Sequence, residues 1–170
     1  MLEAIDYSNR RGVIALMLNE IYTVMAENAE KDKQANLPPP GNRILWVQRY
    51  KKIVVDVNRR WLFAMDGNSI AGFMFFRLEE NGSHIYLDEF MLAWPYRHNA
   101  PVFGLLLDKF MNDRAVREAS EVFAGERIRI EHDKELLASV GFKDEYENGF
   151  QSLGAPNRAA DTLKIRYGRA

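Results

Sequence analysis

The sequence predicts an α+β chain with a mixed, mostly antiparallel central sheet flanked by helices. Three observations carry this. Two amphipathic helical stripes lie near the N-terminus, the period then switches to strands joined by two hairpin turns, and a strand–helix–strand crossover follows. The predicted order is β-α-α-β-β-β-α-β-α-β-β.

The first helix spans Ser8 to Glu30, with Ile14, Met17, Leu18, Ile21, Tyr22 and Met25 as its apolar stripe and Ser8 or Asp6 as its N-cap. Pro38-Pro39-Pro40-Gly41 cannot continue a helix, so the stretch from Lys31 onward is a loop within one domain. A second helix runs from Arg43 to Val57 on Val47, Tyr50, Val54 and Val57. The β-branched cluster Ile53-Val54-Val55 works against it.

Trp61 to Met65 is a short apolar strand, followed by Asp66-Gly67-Asn68, which predicts a type I′ turn. Ile70 to Leu78 is the return strand, Asn81-Gly82 a second turn, and His84 to Trp94 a third strand. Pro101 sits where a helix can start without its N–H, and the helix continues to about Arg117. Glu121 to Gly125 is a strand, and Asp133 to Val140 a short helix ended by Gly141-Phe142. Lys143 to Gln151 and Thr162 to Tyr167 are the closing strands.

Length and composition bound the function. At 170 residues the chain is most simply one domain, 1–170. It has 23 basic and 24 acidic residues, which argues against nucleic acid as a partner. There is no cysteine, so disulfides, thiolate nucleophiles and cysteine zinc sites are excluded. The histidines, His84, His98 and His132, have no metal-ligand spacing, so no metal is expected. No apolar run approaches a membrane span and the N-terminus has no signal-peptide pattern, so the expectation is a cytoplasmic protein without a membrane partner. Strand edges near the C-terminus admit a homodimer.

The segment Ala93-Trp94-Pro95-Tyr96-Arg97, the helix after it and the helix-terminal Gly141-Phe142 carry a resemblance. With the element order, they make the chain similar to the GNAT superfamily of N-acetyltransferases over nearly its whole length. The resemblance implies acetyl-coenzyme A as acyl donor and the amine of a small molecule or peptide as acceptor. It implies that backbone groups of Met91, Leu92 and Ala93 hold the pantetheine arm. It also implies that Arg97, His98, Asn99, Ala100 and Val102, with Gly104 behind them, hold the pyrophosphate at a helix N-terminus. The Asp32-to-Gly41 loop would rim the acceptor site.

The sequence departs from the family in two places. The loop pattern Q/R-x-x-G-x-G/A reads Arg97-His98-Asn99-Ala100-Pro101-Val102 here, and the position of a family tyrosine acid is Leu137. For the base, Asp88 and Glu89 are neighbours on one strand, and alternation allows only one of them to face a given cleft. Glu89 shares a face with Met91 and Ala93 and is the candidate catalytic base; the alternative roles are holding a cationic substrate or pairing with an arginine. Tyr86, Tyr96 and Tyr146 could protonate a leaving thiolate or simply pack. Trp94 could wall the cofactor groove, while Trp46 and Trp61 are core candidates. Two other readings stay open: a catalytically inactive binding or regulatory module, and an acyltransferase with a different donor or acyl carrier.

Overall fold

The structure is a computed structural model that describes residues 1–32, 39–119, 121–124, 142–144 and 165–167. The N-terminal strand β1 (Leu2–Asp6) leads into α1 (Arg11–Lys31) and α2 (Arg43–Val54). The meander β2 (Arg59–Asp66), β3 (Ser69–Glu79) and β4 (His84–Leu92) follows. After it come α3 (Ala100–Met111), α4 (Arg114–Glu118), β5 (Glu121–Ala124), β6 (Phe142–Asp144) and β7 (Ile165–Tyr167). The predicted helix at Asp133 to Val140, Gly141, Leu137, His132, Tyr146 and the loop from Leu153 lie outside the described residues.

Among the described residues, seven strands form one sheet in the order β1-β2-β3-β4-β5-β7-β6. Its pairs are antiparallel except β4–β5, which is parallel and requires a crossover through the helical connection α3–α4. Each face of the sheet is covered. One buries Leu62, Met74, Phe76, Ile85, Leu87, Phe90 and Leu92 against Val102, Phe103, Leu106 and Phe110 of α3. The other buries Trp61, Phe63, Phe73, Phe75, Met91 and Ala93 against Ile14, Leu18, Ile21 and Val24 of α1 and Trp46, Tyr50 and Val54 of α2. Period-two alternation along β2 and β3 produces both faces at once.

Several local expectations change. Ser8 and Asp6 do not cap α1; Arg10 stands at its N-cap without a side-chain bond. Ser8 is buried, and its hydroxyl accepts from Trp61 N at 2.9 Å, while Asp6 accepts from Ser8 N at 2.8 Å. Both side chains therefore fix the β1–α1 corner against β2.

Helix α2 stops at Val54 rather than Val57, where Arg11 donates to the carbonyls of Val54 and Asp56. Its start is capped by Asn42, which accepts from Ile44 N and Leu45 N. In the β2–β3 turn only Gly67 has positive φ, at 60°, which is the type II′ pattern and not type I′. At the second turn Asn81 and Gly82 both have positive φ.

The third strand of the meander ends at Leu92, and Trp94–Tyr96 forms a 3-10 turn. The long helix breaks after Met111 because Asp113 caps a new one, accepting from Ala115 N at 2.8 Å. No described helix is long and apolar enough to cross a membrane.

Candidate functional site

The site is built on the C-terminal half of β4. Its pairing with β5 runs from His84 to Leu87 among the described residues, whereas its pairing with β3 continues to Leu92. Ala93 N donates to Ala71 O at 2.9 Å. In an antiparallel ladder, residues that bond to the partner alternate with residues whose backbone groups point the other way. Met91 and Ala93 therefore face β3, and the N–H and C=O of Phe90 and Leu92 point to the edge beyond β5. Asn28, fully buried on α1, donates from Nδ2 to Leu92 O at 3.2 Å and to Val24 O at 2.9 Å.

A β-bulge sets the carboxylates. Phe75 pairs with Glu89 and Phe76 with Leu87, leaving Asp88 as an extra residue on β4. A bulge interrupts alternation, so both carboxylates fall on the α1/α2 face, contrary to the expectation that only one would. Asp88 accepts from Arg59 Nη1 at 2.9 Å and lies 3.1 Å from Arg77 Nε. Its charge is thus balanced between two arginines that stand opposite each other on β2 and β3. Glu89 is 3% exposed and lies in a cross-strand row with Phe75 and Trp61. Trp61 is 1% exposed, packs on Phe75 with ring centroids 4.4 Å apart, and its Nε1 meets no acceptor among the described residues.

Beyond Leu92 the chain closes on itself. Tyr96 N donates to Ala93 O at 2.8 Å, Arg97 N to Trp94 O at 3.2 Å, and Asn99 N to Tyr96 O at 2.9 Å. Asn99 caps α3: its carbonyl accepts from Val102 N and Phe103 N, and its Oδ1 accepts from Val102 N at 3.3 Å. Pro101 has no N–H to offer. Arg97 is 4% exposed and turned toward α1, donating to Asn28 Oδ1 at 2.9 Å and to Asp32 Oδ2 at 2.8 Å.

No protein-family model and no curated protein sequence matches the chain. Solved structures do. A GNAT-family acetyltransferase from Staphylococcus aureus has a TM-score of 0.64 at 14% identity, covering 98% of this chain and 96% of that one. The fold is that of the GNAT acetyltransferases. A PaiA N-acetyltransferase from Thermoplasma acidophilum in complex with coenzyme A has a TM-score of 0.61 at 18% identity, over 88% of this chain and 94% of that one. A chimeric spermidine N-acetyltransferase built in part from Vibrio cholerae sequence has a TM-score of 0.60 at 14% identity, over 98% and 90%.

Within this GNAT fold the residues expected to bind cofactor divide. Of Met91, Leu92 and Ala93, only Leu92 presents its backbone to the outer edge; Phe90, not singled out from sequence, does so as well. Arg97, expected at the pyrophosphate, points instead into a buried network with Asn28 and Asp32. Asn99 serves α3 as its cap. Val102 is fully buried in the α3-side core. His98 and Ala100 are exposed at the loop surface. A Cβ at Gly104 would meet no atom within 4 Å, so no close approach in the fold requires glycine there.

A pantetheine arm therefore fits the residues present, and a pyrophosphate cradle fits them poorly. Among the described residues no group of three or more His, Asp or Glu side chains could hold a metal ion.

The tyrosines and tryptophans also separate. Tyr96 donates its hydroxyl to Asp66 Oδ2 at 2.9 Å, an interaction that raises the phenol pKa and, with the N-terminal amine, lowers that of Asp66. Tyr86 lies under the Arg77 guanidinium, 4.9 Å from its ring centroid. Trp94 is half-buried between Lys31 and Arg97, at 5.7 and 6.0 Å. Trp46 and Trp61 are core residues. Asn28 was missed in the sequence although it carried a signal: it lies four residues after Val24 and seven after Ile21 on the stripe that α1 buries.

Proposed function

We propose that this protein is an N-acyltransferase that moves an acetyl group from acetyl-coenzyme A to the amine of a small molecule or peptide. The observation that carries the reading is the coincidence, on one stretch of β4, of an outer backbone edge at Phe90 and Leu92 and a buried carboxylate at Glu89. Relatives in fold that are acetyltransferases, one of them complexed with coenzyme A, support it. Phe90 and Leu92 would hold the amide-rich arm of the donor as an added strand pairs with a sheet edge.

The donor supplies a thioester carbonyl. The amine nitrogen attacks it, the C–N bond forms and the C–S bond breaks. The amine proton passes to the Glu89 carboxylate, directly or through water, and the sulfur leaves as a thiolate. A single buried carboxylate suits this role, because a base is needed only for the proton and orientation supplies the rest.

Calorimetry with acetyl-coenzyme A, followed by thiol release with a panel of amines, tests the reading. Glu89→Gln should lower kcat by roughly 10²–10⁴-fold with circular dichroism unchanged. Binding with no thiol release for any amine would favour a second reading, a binding module without turnover, for which the self-bonded loop at Asn99 and Arg97 is the supporting observation.

A further inference from the structure

We infer that donor recognition rests on the pantetheine arm alone, so that the protein takes pantetheine thioesters with little regard for the pyrophosphate and nucleotide of coenzyme A. The inference rests on the acyltransferase reading and narrows its donor class. A pyrophosphate is held at a helix start by backbone N–H groups and a cation.

Here the N–H groups of Tyr96, Arg97, Asn99, Val102 and Phe103 already donate to carbonyls of the same segment. Pro101 carries none, and Asn99 Oδ1 occupies the position of an anion at the N-cap. The one arginine of the loop is 4% exposed, with Nη1 on Asn28 and Nη2 on Asp32, so its charge is balanced inside the protein. An anion at α3 would have to displace these bonds and leave the buried Asn28 Oδ1 without its donor, which cancels much of what it gains.

The pantetheine half is the reverse. Among the described residues, Phe90 turns its N–H and C=O away from β3 and Leu92 its N–H, while Leu92 O, on the same side, accepts from Asn28 Nδ2. Where a donor is recognised through its phosphates, each charge-assisted bond adds roughly ten- to a hundredfold in affinity. Removing the phosphates should then be ruinous. In this protein it should be nearly neutral.

The experiment compares S-acetylpantetheine, acetyl-coenzyme A and an acetylated holo-acyl carrier protein with the full-length wild-type chain, by calorimetry and by competition. The expected result is that S-acetylpantetheine binds within ~3-fold of acetyl-coenzyme A, with Kd independent of salt. Acetyl-coenzyme A binding more than about 30-fold tighter would overturn the inference and leave the acyltransferase reading standing. No binding by any of the three at millimolar concentration would overturn the reading itself and the inference with it. If the pantetheine donors bind, competition assigns the source: a carrier-linked thioester that outcompetes acetyl-coenzyme A places the donor on a protein, and the opposite order places it on the free coenzyme.

Discussion

The end of β4 and the start of α3 follow each other in the chain and behave in opposite ways. Phe90 and Leu92 leave backbone groups pointing away from their partner strand, whereas the N–H groups of Tyr96, Arg97, Asn99, Val102 and Phe103 donate to carbonyls between Ala93 and Asn99. Among the described residues the first region pairs with β3 on one side and follows a bulge, and Asn28 of α1 takes the Leu92 carbonyl. The second is closed by its own residues, Asn99 as cap and Pro101 as a missing donor. The backbone of the second region is therefore closed locally, whereas its one arginine is closed by tertiary contacts from α1.

Four substitutions break or sharpen that contrast, from the largest effect down. Asn28→Ala removes the amide that joins Leu92 O, Val24 O and Arg97. It leaves a buried guanidinium half-paired and should cost on the order of 2–4 kcal/mol in urea denaturation. If it costs no more than a surface mutation, Asn28 does not hold the edge.

Gly72 pairs with Leu92 across β3–β4, and a Cβ there would come within 2.8 Å of Leu92 Cδ2 and 3.1 Å of Met91 O. Gly72→Ala should cost about 1–3 kcal/mol by overpacking, and should weaken pantetheine binding because it presses on the open edge itself. Binding unchanged in a destabilised variant would show that the edge tolerates displacement.

Asn99→Ala acts on the closed region. Loss of an N-cap costs ~1 kcal/mol in thermal melts. It also removes the Oδ1 that stands at the helix start and leaves Val102 N–H only the Asn99 carbonyl, so coenzyme A should gain on pantetheine in the same preparation. A variant that loses stability without shifting that ratio would mean that the cap is not what excludes phosphate.

The smallest effect belongs to Tyr96→Phe, at the exposed bond to Asp66. Asp66 is depressed in the folded state, so its contribution is present above the unfolded carboxyl value, about 3.9, and is lost as pH falls through the lower folded value. Tyr96 is raised, so its share is present below about pH 10 and disappears above the folded value. The stability difference between wild type and variant should therefore be flat near neutrality and close at both extremes. A difference persisting at acid pH would separate Tyr96 from Asp66.

How much of this was legible beforehand follows from the range of each interaction. The meander was readable because alternation at Trp61 to Met65 and Ile70 to Leu78, and the glycines at Gly67 and Gly82, act within a few residues. The stripe of α1 was readable for the same reason. The helix break at Asn112-Asp113 had a local signal too, a capping aspartate, which the apolar run through Met111 obscured.

The bulge at Asp88 had no such signal. Two residues oppose one only when the partner strand is known, and alternation along β4 alone put Asp88 and Glu89 on opposite faces. The site divides in the same way. Glu89 and the edge at Leu92 follow from one strand and its place in the fold. The direction of Arg97 follows from Asn28 and Asp32, which are 69 and 65 residues away in sequence.

The sequence by itself determined the helices up to α3, the strands of the meander, their order, and the chemical poverty of the loop at Ala100-Pro101-Val102, because propensity, periodicity and a missing N–H are properties of the residues in place. The tertiary structure alone decided that Asp88 meets two arginines, which β4 backbone groups turn away from β3, and whether Arg97 faces solvent or α1. Each of those depends on which distant group reaches a buried charge or carbonyl first, and a buried polar group takes the partner that packing brings to it.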